Sequence, residues 1–250
     1  MPGGIVAALC RVPLILHEQN SIAGMANKVL STIATRVLCA FPNAIPRSEW
    51  VGNPIRNDLL SINSPESRYS NRSGPLRLLV IGGSLGAAVL NDVVPQAIAM
   101  LSTDTRPIIL HQAGSKHVSQ LQKKYDQYGV EAQVFPFIEN MAKAYEEADV
   151  VICRSGAMTI AELAACGVPA LLVPFPHAVD DHQTMNAQYL AKVGAAKLLA
   201  QKDFTPEIIA SWLGELNREI LLDMAQKAFK QAKPFATRSV AEICKQVSEL

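Results

Sequence analysis

Strand-length apolar runs alternate with amphipathic segments of helix length along this chain, which is the pattern of βαβ units building a parallel sheet. The first twenty residues read as a helix followed by a strand, and apolar runs at 12–16 and 36–40 flank a predicted helix near 24–35. Gly52-Asn53-Pro54 then breaks the pattern, so this opening part has too few elements to close a sheet. Between 59 and 75 the text LLSINSPESRYSNRSGP is rich in Ser, Asn and Pro and has no periodicity, which predicts a connector at a domain boundary. From Leu76 onward, predicted strands at 76–83, 107–111, 132–137, 150–153 and 170–173 alternate with helices at 87–100, 116–128, 141–147 and 158–165. Five strands with crossover helices make a Rossmann-like sheet. A helix at 183–192, a short strand near 195–199 and three further helical segments follow, with Pro234 marking a kink between two of them.

Composition narrows the reading without naming a function. The apolar fraction is 49% and the charged fraction 18%, as in ordinary globular domains. With 23 basic against 22 acidic side chains there is no overall field to attract nucleic acid, and no nucleic-acid partner is expected. The five cysteines are odd in number and contain no CxxC pair, which signals neither a disulfide framework nor a zinc knuckle and suits a reducing cytosol. The longest apolar runs fall far short of the roughly 20 residues that span a bilayer. The N-terminal apolar stretch lacks the basic region and cleavage site of a signal peptide.

Four segments carry chemistry. IGGSLGA, residues 81–87, follows a strand and opens a helix, where glycines admit a ligand to the backbone and free amides suit an anion. Alone it serves equally as a phosphate loop or as an ordinary strand-to-helix turn, and it is neither GxGxxG nor a Walker A loop. CRSGAMTIAELAACGVPALLVP, residues 153–174, repeats the strand–loop–helix design with small residues Ser155, Gly156 and Ala157 at the helix start. Thr159 and Glu162 share one helix face, so Glu162 can accept from a ribose diol; a Thr-x-x-Glu capping box explains the same spacing with no ligand. PFPHAVDDHQTMNA, residues 174–187, is a polar loop at a strand's carboxyl end, where ligands of doubly wound sheets bind. Its His177, Asp180, Asp181 and His182 have no diagnostic metal spacing, and solvated loop residues account for them. HEQN, residues 17–20, and GNPIR, residues 52–56, end strands in the first part and suit either a cleft lining or an exposed loop.

Taken in order, HEQN, GNPIR, GGSLGA, FIENM, CRSGAMTIAE and HQTMNA resemble the MurG family, the N-acetylglucosaminyl transferases of peptidoglycan synthesis, and the resemblance covers essentially the whole chain. It implies an α/β fold of GT-B type, with two Rossmann-like domains facing a cleft. The divisions expected are an acceptor-domain remnant at 1–58, a linker at 59–75, a donor-binding domain at 76–233 and a C-terminal helix at 234–250 returning towards the first domain. It implies inverting transfer of N-acetylglucosamine from UDP-GlcNAc to undecaprenyl-pyrophosphoryl-MurNAc-pentapeptide, with no cofactor and no metal, by an enzyme in peripheral contact with the cytoplasmic face of the bacterial inner membrane. By position, Ile138 matches the residue whose backbone reads uracil, Glu162 the ribose-diol acceptor, and Arg56 an arginine near the nucleotide. Ala157, Met158, Thr159, Ile160 and Ala161 match the α-phosphate and ribose lining. Gln183 and Asn20 match residues facing the sugar, and Ser84 one at the diphosphate.

One departure is expected to matter. The family's opening strand and glycine-rich loop ending in His, which supplies its favoured general base, has no counterpart here, so no catalytic residue is assigned. An incomplete acceptor sheet is expected to leave an open edge and uncovered apolar surface on 1–58. The alternative function is a UDP-GlcNAc-binding module with impaired turnover. A dinucleotide-dependent dehydrogenase lacks its fingerprint here, and a UDP-GlcNAc epimerase would share fold and donor.

Overall fold

A computed structural model describes residues 2–249 apart from Asn71, Ser84 and Leu85. The first part runs α1 (Pro2–Leu9), β1 (Ile15–Glu18), α2 (Met25–Leu30), β2 (Arg36–Cys39) and β3 (Glu49–Trp50), followed by short helices α3 (Asn57–Leu60) and α4 (Pro65–Ser70). The second part contains β4 (Arg77–Ile81), α5 (Ala88–Ala99), β5 (Ile108–Gln112), α6 (Val118–Gln127), β6 (Gln133–Phe135) and α7 (Met141–Glu147). It continues through β7 (Val150–Cys153), α8 (Ala157–Cys166), β8 (Ala170–Leu172), α9 (His182–Ala191) and β9 (Ala196–Leu198). Helices α10 (Pro206–Glu215), α11 (Arg218–Phe229) and α12 (Ala236–Ser248) complete it, with Pro234 in the break before the last.

Two parallel sheets result. The smaller has the order β1-β2-β3, and the larger β6-β5-β4-β7-β8-β9, the doubly wound order in which the first strand lies at the centre. Ile81 pairs with both Gln112 and Cys153, so the strands end level and the loops after β4 and β7 emerge side by side. All four residues of β7 are buried, as expected of a strand covered on both faces. Alternate residues feed two cores. Leu79, Val151 and Leu172 pack with α7, α8 and α9, while Leu78, Val80, Val150 and Ile152 pack with α5, α6, α10 and α11. The first of these cores also takes in Ala40, Phe41, Ile55 and Leu59, so apolar packing is continuous between the two parts. The last helix crosses back to seat Ile243 and Val247 on Leu38 and Val51.

Three local expectations change. The first strand begins at Ile15 rather than at residue 12, because β2 starts only at Arg36, Ile15's ladder partner, and Val12 is left exposed. The pair Glu49–Trp50 forms a strand with no apolar run to announce it. Within 59–75, α4 is a real helix. Its anchors are long polar side chains: Arg68 donates to the carbonyls of Tyr145, Cys166 and Gly167, and the Tyr69 hydroxyl donates to Asp149 O at 2.5 Å. A helix held by an arginine and a tyrosine shows no apolar stripe. On the first part Leu9, Val12, Met25 and Ile33 are exposed. Among the described residues no helix is long and apolar enough to cross a membrane.

Candidate functional site

The glycine turn after β4 is held tightly by its neighbours. Gly86 has φ +77°, and a Cβ there would lie 2.1 Å from Ala113 O, so only glycine fits. The same carbonyl accepts from the buried Asn91 amide at 3.0 Å, which fixes the start of α5 against the end of β5. Ser84, assigned to the diphosphate, lies outside the described residues. Gly82, Gly83 and Gly86 form one wall of an open cleft whose other wall includes Arg154, Phe175 and Gln183. Arg154 was passed over in the sequence reading, although it is the first residue after β7. Its guanidinium donates to Val173 O and Pro174 O at 3.1 Å and to Gln201 Oε1 at 2.7 Å, and it lies over the Phe175 ring. A cation fixed beside a glycine turn is complementary to a diphosphate.

The start of α8 decides between the two explanations of Thr-x-x-Glu. The N-cap is Gly156, extended at φ −62°, ψ 148° and without a side-chain cap. Thr159 is therefore the third helical residue, and a capping box, which needs it at the N-cap, is excluded. The first intrahelical bond is Ile160 N–H to Gly156 O at 3.0 Å, which leaves the amides of Ala157, Met158 and Thr159 ahead of it at the positive end of the helix. The Ile160 side chain is fully buried in the core and its amide donates to Gly156 O, so of this run it is the residue whose side chain faces away from the helix start's open side. Met158 is exposed, and Ala161 is half-buried.

Glu162, half-buried on α8, accepts a 3.0 Å hydrogen bond at Oε2 from the Tyr145 hydroxyl. Burial raises its pKa above the usual carboxylate value; the Tyr145 hydrogen bond and the Arg56 charge oppose that, and Asp58 adds to it. Arg56, itself half exposed with Nε 3.6 Å from Asp58 Oδ1, is thus brought from the first part to the neighbourhood of Glu162. Ile138, in the loop between β6 and α7, has its side chain in the same core as Tyr145, so only its backbone is available for recognition.

The seam between the two parts is closed by amides. Asn186, fully buried on α9, accepts at Oδ1 from both Ser21 N and Ser21 Oγ at 2.8 Å and donates from Nδ2 to Asn20 Oδ1 at 3.1 Å and Ser155 O at 3.3 Å. Asn53 donates to Gln19 O at 3.0 Å and to Ala157 O at 3.4 Å. Asn20 is oriented from its own side by Glu18, whose buried carboxylate accepts from Asn20 N and from Asn27 Nδ2, each at 2.8 Å. HEQN and the CRSGA loop are therefore joined across the seam by Asn186, Asn53 and Glu18, which lie within the motifs HQTMNA, GNPIR and HEQN but carry no individual assignment from the sequence. Gln183 lies at the start of α9, where its Oε1 accepts from Phe175 N at 2.9 Å. His177 meets the Phe175 ring edge to face, and among the described residues no group of three His, Cys, Asp or Glu side chains is placed to hold a metal ion.

Residues 77–246 match the glycosyltransferase family 28 C-terminal domain and residues 1–39 the corresponding N-terminal domain. The chain is 59% identical over 246 residues to the UDP-N-acetylglucosamine–N-acetylmuramyl-(pentapeptide) pyrophosphoryl-undecaprenol N-acetylglucosamine transferase of Ralstonia nicotianae, covering 97% of this chain and 67% of that protein. A protein of the same name from Cupriavidus necator is 58% identical, with coverage of 99% and 69%. Among solved structures, Acinetobacter baumannii MurG superposes with a TM-score of 0.90 at 42% identity, over 98% of this chain and 70% of that one. A UDP-GlcNAc 2-epimerase from Neisseria meningitidis, at TM-score 0.67 and 13% identity, shares the fold alone. The fold is GT-B, and the chain belongs to the MurG family.

Proposed function

We propose that this chain binds UDP-GlcNAc in the cleft between its two parts and transfers N-acetylglucosamine, with inversion, to the muramyl sugar of an undecaprenyl-pyrophosphoryl-linked acceptor. The observation that carries the reading is the pairing of an uncapped helix start with a half-buried glutamate six residues into the same helix. In the transfer an acceptor hydroxyl oxygen attacks the anomeric carbon, the bond to the diphosphate oxygen breaks with its electrons going to UDP, and the acceptor proton passes to a general base. What limits such a step is charge growing on the leaving diphosphate. The Ala157, Met158 and Thr159 amides, the α8 dipole and the Arg154 guanidinium would meet that charge without reorganising. Glu162 would accept from the ribose diol, the Ile138 backbone would read the uracil edge, and Gln183 and Asn20 would face the sugar. Arg56 would lie near the nucleotide and Ser84 at the diphosphate, with Ala161 beside the ribose.

The divisions we propose are an acceptor-side unit at 1–58, a connector at 59–75, a donor unit at 76–233 and a returning helix at 234–250; the seating of Ile243 and Val247 on Leu38 and Val51 supports the last. On this reading the reaction would take place at a membrane surface, on its cytoplasmic side, with the protein peripheral to it. The test is titration calorimetry with UDP-GlcNAc beside a transfer assay on a lipid-linked muramyl acceptor. Binding together with a disaccharide product is expected. Binding without product would reduce the reading to a donor-binding module, and no binding at millimolar UDP-GlcNAc would overturn it.

A further inference from the structure

Tyr145 is almost fully buried on α7, in a core where a phenylalanine would pack as well, yet it carries a hydroxyl that burial makes costly unless it is partnered. That hydroxyl donates to the Glu162 carboxylate at Oε2, 3.0 Å away. Among the described residues the other carboxylate oxygen, Oε1, accepts no hydrogen bond. A glutamate side chain rotates about three bonds, and a free one would have to be ordered each time a ligand arrived. The Tyr145 ring is held by its burial in the core, and its main chain by Arg68, which donates to Tyr145 O at 3.1 Å.

We propose that Tyr145 is a positioning residue for donor recognition: its buried hydroxyl fixes the Glu162 carboxylate so that Oε1 is presented to the ribose hydroxyls, which makes the site prefer ribonucleoside over deoxyribonucleoside diphosphates. The inference rests on the ribose role given to Glu162 above. The charged and titratable groups acting on or with that carboxylate are Arg56 and Asp58 from the start of α3, Tyr145 from α7, Cys153 from β7 and Cys166 from α8. Of these, the Tyr145 hydrogen bond and Arg56 favour its ionised form. An ionised carboxylate is the stronger acceptor for the diol, so ribose preference falls as pH falls through the Glu162 pKa, and loss of the Tyr145 hydrogen bond moves that fall to higher pH.

The experiment measures binding of UDP and of 2′,3′-dideoxyuridine diphosphate across pH, for the full chain and for Tyr145→Phe. The two ligands share one diphosphate, so the ratio of their affinities reports on the diol alone. We expect Tyr145→Phe to weaken UDP about three- to tenfold, the worth of one hydrogen bond, to leave the dideoxy analogue unchanged, and to shift the ratio's midpoint upward in pH. An equal loss for both ligands would make Tyr145 merely structural and overturn the proposal, as would no loss for either. Glu162→Gln separates the two levels. If it keeps the ribose preference, the role of Glu162 itself fails; if it removes the preference while Tyr145→Phe keeps it, only the positioning role fails. Should Tyr145→Phe not fold, 3-fluorotyrosine at 145, nearly equal in size and a stronger donor, is expected to move the midpoint downward, and an unmoved midpoint would refute the idea.

Discussion

Asn186 and Ser21, 165 positions apart in the chain, are joined by two 2.8 Å hydrogen bonds to a single amide oxygen. One of these comes from a backbone N–H and one from a hydroxyl, so the amide of Asn186 holds both the main chain and the side chain of the loop after HEQN. Its nitrogen in turn reaches Ser155 O at the donor loop.

Asn186→Ala would leave the Ser21 N–H and hydroxyl and the Asn20 Oδ1 without this partner in a part-buried seam, at a cost of about 1–3 kcal/mol. Urea unfolding should show that loss, and UDP-GlcNAc affinity should fall with it because the seam and the donor loop share this residue. A variant with wild-type midpoint and affinity would remove the amide from the site.

Glu162→Ala is expected to weaken UDP-GlcNAc binding by about 1–3 kcal/mol, the range for losing a charge-assisted hydrogen bond. Calorimetry on a variant with an unchanged melting curve is the check. Since the N-cap is Gly156, a helix-capping explanation is no longer available for whatever loss is seen.

Gly52→Ala tests how the last helix is held to the first sheet. The residue has φ +91°, and a Cβ would fall 2.4 Å from Lys233 Cβ, while the Lys233 ammonium sits 3.5 Å from the Trp50 ring centroid. The substitution should destabilise by more than about 1 kcal/mol, since it adds backbone strain to a steric clash. Combining it with Lys233→Gly, which removes the Lys233 Cβ itself, should restore only part of the loss, because the positive φ remains. Thermal melts of the three variants would show full restoration if the clash alone mattered.

His111 supplies a pH dependence. It is buried on β5 with Nδ1 2.8 Å from the Tyr125 hydroxyl and no partner for Nε2 among the described residues, and burial pushes its pKa down from 6.5 to about 3. A histidine depressed in the folded state binds its proton more readily when unfolded. Its contribution is therefore fully present above about 6.5 and is lost as pH falls towards about 3, by at most about 1.4 kcal/mol per pH unit. His111→Gln keeps a polar partner for Tyr125 and should flatten the unfolding free energy over that window relative to the parent chain. Parallel curves would refute it.

The middle of the large sheet was legible because β7 and β8 are buried on both faces and read as continuous apolar runs: VVIC at 150–153 is a strand at those very residues. The glycine turns were legible as well, since positions such as Gly86 admit no other residue. Elements held by polar side chains were not. Arg68 and Tyr69 stabilise a helix through carbonyls about 77 to 99 positions away, and nothing in their local text marks it.

The amino-acid order alone determined the alternation that makes an α/β sheet, the glycine turns that open α5 and α8, and the family to which the motifs belong, because each depends on neighbours within a few positions. Tertiary structure decided that Glu162 is held by Tyr145 rather than by a capping box, that Ile160 points into the core, and that Asn186 ties Ser21 to the donor loop. Those relations depend on which distant groups share a low-dielectric interior, where each buried hydroxyl or amide needs a partner that spacing along a chain does not specify.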